Sequence, residues 1–296
     1  MKKSIMAIVC TCLLLPAVVS ADNNMRDYIA APPNTLLSLF YQFHITGDTL
    51  NSNGHKAANV DFTEDLSLLR EVYYFNVGSW LANAQVIVPF GNASLDAAGA
   101  HQSTSGIGDI VLFGTVWFVN RPETKTYLAF SPYFFLPTGE YDNKQTLNMG
   151  ANRWGFREEL NFTKGFEVIP NHPVYFEVTV GEDFFTTNGD YLSGNDLSQD
   201  PVFNLESHLS YDLIKNLAIS FDYYGHWGGS SKLVGRAVDN SAVDSQTIGG
   251  TLAYNFTPGW QVLLQYKEDV QNENGINAET IQARLFYAVD FGKIFR

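Results

Sequence analysis

The feature that most constrains this chain is a period of two in its hydrophobicity. It recurs in twelve runs, at 35–46, 67–77, 80–90, 107–119, 126–136, 153–164, 174–184, 202–213, 217–227, 245–256, 260–270 and 278–291. In 202–213, Phe203, Leu205, Leu209 and Tyr211 alternate with Asn204, Glu206, His208, Ser210 and Asp212. In 217–227, Leu217, Ile219, Phe221 and Tyr223 alternate with Ala218, Ser220, Asp222, Tyr224 and His226. Alternation at 180° per residue is the mark of a strand with two unlike faces. Most runs are 10–13 residues long, about twice the usual globular strand and enough for a tilted strand to cross a bilayer. A soluble sandwich would use shorter strands and cover the apolar faces with a second sheet. The expected fold is all-β, a transmembrane antiparallel β-barrel of about twelve strands.

The connections support this. Those at 78–79, 120–125, 214–216 and 257–259 are short, whereas 47–66, 91–106, 137–152, 185–201 and 228–244 are long and rich in Gly, Asn, Asp and Ser. Short periplasmic turns and long extracellular loops are the outer-membrane pattern, and an even strand count puts both termini on the periplasmic side. Aromatics fall near the expected strand ends, as in an interfacial girdle: Phe118, Phe162, Phe166, Tyr211, Phe256, Trp260 and Phe291 at one end, Phe90, Trp154, Phe184 and Trp227 at the other. Two runs break the rule. In 67–77 either frame leaves a charge on the apolar side, Arg70 or Glu71, and in 153–164 Glu158 shares the parity of Trp154, Phe156, Leu160 and Phe162.

The first residues read as a leader. Met1-Lys2-Lys3 is basic, Ile5 to Val19 is apolar, and Val19-Ser20-Ala21 offers a cleavage site after Ala21. The apolar stretch is too short to span a bilayer. Cleavage would remove Lys2 and Lys3, taking the formal charge from −13 to −15, and also both cysteines, Cys10 and Cys12. No disulfide would then hold the mature chain. So acidic a chain with no basic run has no footprint for nucleic acid, and 42 aromatics exclude disorder. The expected organisation is a signal peptide at 1–21, a segment at 22–34 and a barrel at 35–296. For 22–34, which contains Pro32-Pro33, a periplasmic tail is favoured over a plug in the lumen.

If the apolar faces meet lipid, the opposite faces line a lumen. This places Asp109, Glu159, Glu177, Glu206, Asp212, Asp222 and Asp269 inside, with Arg157, Lys267 and Arg284 as bases and His208 on the same face as Glu206. Trp117, Tyr133, Phe113, Phe135, Tyr175 and Tyr224 are inward aromatics by the same parity. An acidic lumen would favour cations or neutral solutes, unless the charges simply pair across it. Twelve strands give a conduit wider than an eight-stranded barrel that side chains fill and narrower than an open porin.

Some segments are specific enough to suggest a family. Val88-Pro89-Phe90-Gly91, Gly106-Ile107-Gly108-Asp109-Ile110, Leu136-Pro137-Thr138-Gly139-Glu140-Tyr141 and Gly150-Ala151-Asn152-Arg153-Trp154 resemble the outer-membrane transporter family named after the meta-cleavage (MetA) pathway of phenol degradation. The resemblance covers nearly all of the mature chain. It implies an outer-membrane barrel of a Gram-negative bacterium that passes small hydrophobic or aromatic solutes without a cofactor. The implied partners are outer-membrane lipids, lipopolysaccharide and the barrel-assembly machinery. Such chains often end in Phe, whereas here Arg296 follows Phe295.

Two other functions compete. His208-Leu209-Ser210 with Glu206 has the ingredients of a hydrolase, although any polar strand face yields H-x-S by chance. A structural or adhesion barrel would act through its long loops. The histidines at 44, 101, 172 and 226 have no metal-site spacing, and the acidic stretch 190–200 lacks the spacing of a Ca²⁺ loop.

Overall fold

The computed structural model describes Asp22 to Ile294; the leader and the terminal Phe295-Arg296 lie outside the described residues. Twelve antiparallel strands close into a barrel. They are β1 Thr35–Ser52, β2 His55–Val77, β3 Trp80–Ala97, β4 in two pieces (Ala100–Ile107 and Val111–Arg121), β5 Thr126–Phe135 and β6 Gly155–Ile169. The second half comprises β7 His172–Phe185, β8 Val202–Ile214, β9 Leu217–Gly228, β10 Val243–Thr257, β11 Trp260–Asn272 and β12 Gly275–Asp290. Each pairs with its sequence neighbour, and β12 closes on β1 from Thr35 opposite Asp290 to Asn51 opposite Gly275. Closure removes the open edges that no lipid could satisfy. A single turn of helix, Phe291–Ile294, follows β12.

The end that carries both strand termini, periplasmic by convention, is joined mostly by two-residue turns, at 78–79, 170–171, 215–216 and 258–259. Phe118, Phe162, Phe166 and Phe256 are exposed near that end, and Trp154 and Phe184 near the other. The opposite end departs from expectation. Residues 47–66 and 91–106 are not loops; β1–β2 and β3–β4 continue as ribbons to the turns Asn53-Gly54 and Ala98-Gly99. Both residues of each turn have positive φ, 53° and 72° in one and 53° and 83° in the other, the two-residue geometry that matches strand twist. Beyond the membrane neither face touches lipid, so the apolar alternation fades while the ladder continues. Residues 185–201 and 228–244 hold the short strands Asn188–Tyr191, Asn195–Gln199, Ser231–Leu233 and Arg236–Ala237, which form a separate small sheet.

The two irregular runs also resolve. On β2, Leu66, Leu68, Val72 and Tyr74 are buried inside, and Arg70 faces inward with them. Here the lumen wall itself is apolar, so the rule that apolar faces meet lipid fails. Glu71 is on the outer face, where Ser38 Oγ donates to it at 2.7 Å. Glu158 is also on the outer face, directly opposite Glu182.

Candidate functional site

The barrel interior has two unlike walls. On β1–β5, Leu37, Leu39, Tyr41, Leu68, Val72 and Tyr74 join Phe113, Trp117 and Tyr133 in one apolar cluster. Phe113 and Tyr133 stack with centroids 4.1 Å apart. On β6–β12 most inward positions are polar: Arg157, Glu159, Glu177, Glu206, His208, Asp222, Gln265, Gln282 and Arg284 are all buried. Alternation decided which residues face inward on each strand, but the division of the lumen depends on which strands became neighbours.

Between the walls lies the segment 22–34. It is not a periplasmic tail, and the reason is chemical: the polar wall presents carboxylates that need donors, and this segment supplies them. Asn23 donates its backbone N–H and its amide to Glu206, each at 3.0 Å, and the amide also reaches Glu159 at 3.2 Å. The Arg26 N–H donates to Glu177 at 2.7 Å, and its guanidinium to Asp212 at 2.6 Å and Ser210 at 3.0 Å. Asp27 accepts from Arg284 at 2.8 Å and from Arg70 at 3.2 Å. Tyr28 O–H donates to Glu159 at 2.8 Å, while Trp117 Nε1 donates to the Tyr28 carbonyl at 2.9 Å. Lys267 pairs with Asp22 at 2.8 Å. Tyr28 and Ile29 pack on the apolar cluster, and Met25 packs with Ala218, Ala253 and Leu263. The segment is thus amphipathic and lies across the lumen between the two walls.

Each sequence-selected residue has a definite place. Glu159 accepts from Tyr133, Tyr28, Asn23 and Arg157. Arg157 is held by Asp183 through bonds of 2.5 and 2.9 Å. Glu177, Glu206, Asp212 and Arg284 hold the plug, and Trp117 caps it. Asp222 accepts from His208 at 2.8 Å, Ser220 at 2.6 Å and Gln265 at 3.0 Å, and also from Thr251. His208 and Ser210 are therefore committed to different partners, His208 to Asp222 and Ser210 to Arg26. The triad logic requires a nucleophile bonded to its base, and this geometry does not supply it.

Asp109 has a different role from the other predicted residues. It sits where β4 is interrupted, and its carboxylate accepts backbone N–H groups from Gly139 at 2.8 Å, Ala151 at 2.8 Å and Thr138 at 3.1 Å. These bonds tie residues 137–152 across the outer mouth, with Met149 in the apolar cluster and Leu147 among Leu50, Ala93 and Leu95. A Cβ on Gly139 would fall 2.7 Å from Gly150 Cα and 2.8 Å from the Gly108 carbonyl carbon. The glycine-rich motifs are thus the contact points of one backbone crossing. Among the described residues the β4 piece Ala100–Ile107 pairs in a ladder only with β3, so the wall on its other side is made by residues 137–152 rather than by a strand ladder.

The residues missed from the sequence are Asn23, Arg26, Asp27 and Tyr28. The nearest thing to a signal is that the segment mixes Asp22, Arg26 and Asp27 with Met25, Tyr28 and Ile29, which does not by itself single out a plug.

The architecture recurs elsewhere. An outer-membrane channel from Pseudomonas putida F1 superposes with a TM-score of 0.85 at 23% identity, covering 90% of this chain and 100% of that one. The transport unit of the autotransporter AIDA-I from Escherichia coli gives a TM-score of 0.55 at 9% identity, covering 96% and 98%. No curated protein matches the sequence. A family model described as "Putative MetA-pathway of phenol degradation" matches residues 46–285. That match takes in the β4 break, the glycine crossing and eleven of the twelve strands from end to end or nearly so, and the chain belongs to this family.

Proposed function

We propose that this protein is a passive conduit of the outer membrane for small hydrophobic or aromatic solutes, closed at rest by its own residues 22–34. The single observation that carries this reading is the two-walled lumen. A water-filled pore for hydrophilic solutes has polar lining all round, whereas here one wall carries a large cluster of Leu, Val, Tyr, Phe and Trp, interrupted by Arg70, Asn83, Gln85, Thr115 and Ser131. The plug is held by hydrogen bonds and ion pairs to both walls and by no covalent bond to either, so displacement leaves the apolar wall available. The family membership and the channel fold of the Pseudomonas protein support the same reading.

The leader would be cleaved after Ala21. The barrel-assembly machinery would insert the chain, and lipopolysaccharide and lipids would surround its outer face. The test is uptake of phenol and toluene into vesicles carrying the folded mature protein, with heat-modifiable gel mobility as the folding control. Faster entry of both than into protein-free vesicles, with no acceleration of a small sugar, is the expected outcome. Equal acceleration of the sugar, or no acceleration of the aromatics, refutes the reading.

A further inference from the structure

Below the plug, toward the periplasmic turns, lies a cavity of about 680 Å³, within the 300–1,000 Å³ range of small-molecule sites. Its side wall is apolar, built from Leu37, Leu39, Val72, Tyr74 and Phe286. Its polar lining is dominated by three guanidiniums, Arg26, Arg70 and Arg284, against the carboxylates Asp27 and, at the strand end near Gly259, Asp290. The wall above, where Glu159, Glu177, Glu206 and Asp222 cluster, is more acidic, and Arg26 at the chamber's edge is itself paired with Asp212 at 2.6 Å.

The basic groups are incompletely satisfied. Asp27 is shared by Arg70 and Arg284, so two cations have one counter-charge between them. Arg284 is 5% exposed; its Nη1 and Nη2 donate to Asp27 and Gln261, but its Nε has no partner. Arg26 Nη2 and Thr35 Oγ, both buried, also have no partner, and both residues line the same cavity. A buried donor without an acceptor costs about 1–3 kcal/mol; these atoms are covered, so an acceptor in the chamber reaches them by a turn of the guanidinium that borders it. A guanidinium binds a carboxylate through two parallel N–H bonds, and the apolar wall suits a ring or short chain.

We propose that this chamber binds a small carboxylate with an apolar body, an aromatic or short aliphatic acid, on the periplasmic side of the plug. The inference rests on the conduit reading only for the route by which the acid arrives. It makes the chamber the place where an acidic solute rests before release, with its ring against Leu37 and Val72 and its carboxylate toward Arg284 and Arg26.

The experiment is calorimetric titration of the folded mature protein with benzoate, benzyl alcohol and benzylamine, matched in ring and different in charge. Benzoate should bind saturably and at least tenfold more tightly than the other two. Arg284→Gln should weaken it at least tenfold. Because Arg284 also holds the plug, Ala288→Phe provides a second variant, which narrows the chamber without touching an ion pair and should abolish binding. No saturable benzoate binding, equal binding of the amine or alcohol, or benzoate binding indifferent to both variants overturns the proposal. Phenol uptake into vesicles is measured in parallel. Uptake without benzoate binding refutes the chamber alone, and benzoate binding without uptake refutes the conduit alone.

Discussion

Asp27 is the strongest single point at which the plug can be tested. Its side chain is about one-tenth exposed, and it bridges Arg70 and Arg284, which are 13% and 6% exposed. Removing one partner of a buried ion pair costs roughly 3–5 kcal/mol, because the remaining charge is stranded. Asp27→Asn keeps the shape and one acceptor oxygen, which places the loss near the lower end, about 3 kcal/mol. In the displaced state both arginines are hydrated in either protein, so that loss falls on the seated state. At 1.4 kcal/mol per decade, the ratio of displaced to seated plug rises about 150-fold. Single-channel recording in a planar bilayer reads this directly as the frequency and duration of openings. The pH dependence supplies a second reading. Burial pushes the Asp27 carboxyl up, but the Arg284 and Arg70 guanidiniums outweigh it and hold the carboxyl below its ordinary value. A carboxyl with a lower value seated than free strengthens seating above the free value, about 3.9. That contribution is lost as pH falls below it. The Asp27-dependent part of the opening is therefore flat from roughly pH 5 to 8 and rises in acid, and it is missing from Asp27→Asn. A folded Asp27→Asn barrel that opens no more often than the parent refutes the plug as the closing element.

Three other outcomes follow from particular contacts. Gly139→Val sets a branched side chain against the Gly108 and Gly150 backbones. It should expel residues 137–152, seen as rapid proteolysis within 142–147 while the barrel keeps its heat-modifiable mobility. Asp222→Ala strands His208, Thr251 and Gln265 inside the barrel. It should lower stability by about 3 kcal/mol or more in denaturant titration in lipid, whereas His208→Gln should cost less. Leu209→Arg puts a charge on the outer face of β8, where Leu209 is 52% exposed. It should destabilise folding into bilayers by about 2–4 kcal/mol, and a near-neutral result would mean that this face does not meet lipid.

The sequence by itself determined what depends on near neighbours in the chain. Period two is a property of one strand, so the twelve strands, the inward parity of Glu177, Glu206, His208, Asp222 and Arg284, and the short periplasmic turns were all legible. Where the lumen wall is itself apolar, most plainly on β2, parity did not settle the orientation, because it reports that two faces differ and not which one meets lipid. The tertiary structure decided everything that depends on partners far apart. Asn23 meets Glu206 across 183 residues and Asp27 meets Arg284 across 257. No local pattern encodes that a segment with the look of a tail will satisfy carboxylates on β6–β8. The glycine motifs were recognisable as letters, but their meaning, a backbone crossing tied by Asp109, exists only once β4 breaks beside Gly139 and Gly150. The division of the lumen into apolar and polar walls is likewise a property of the closed ring, since each strand taken alone shows only its own inward side.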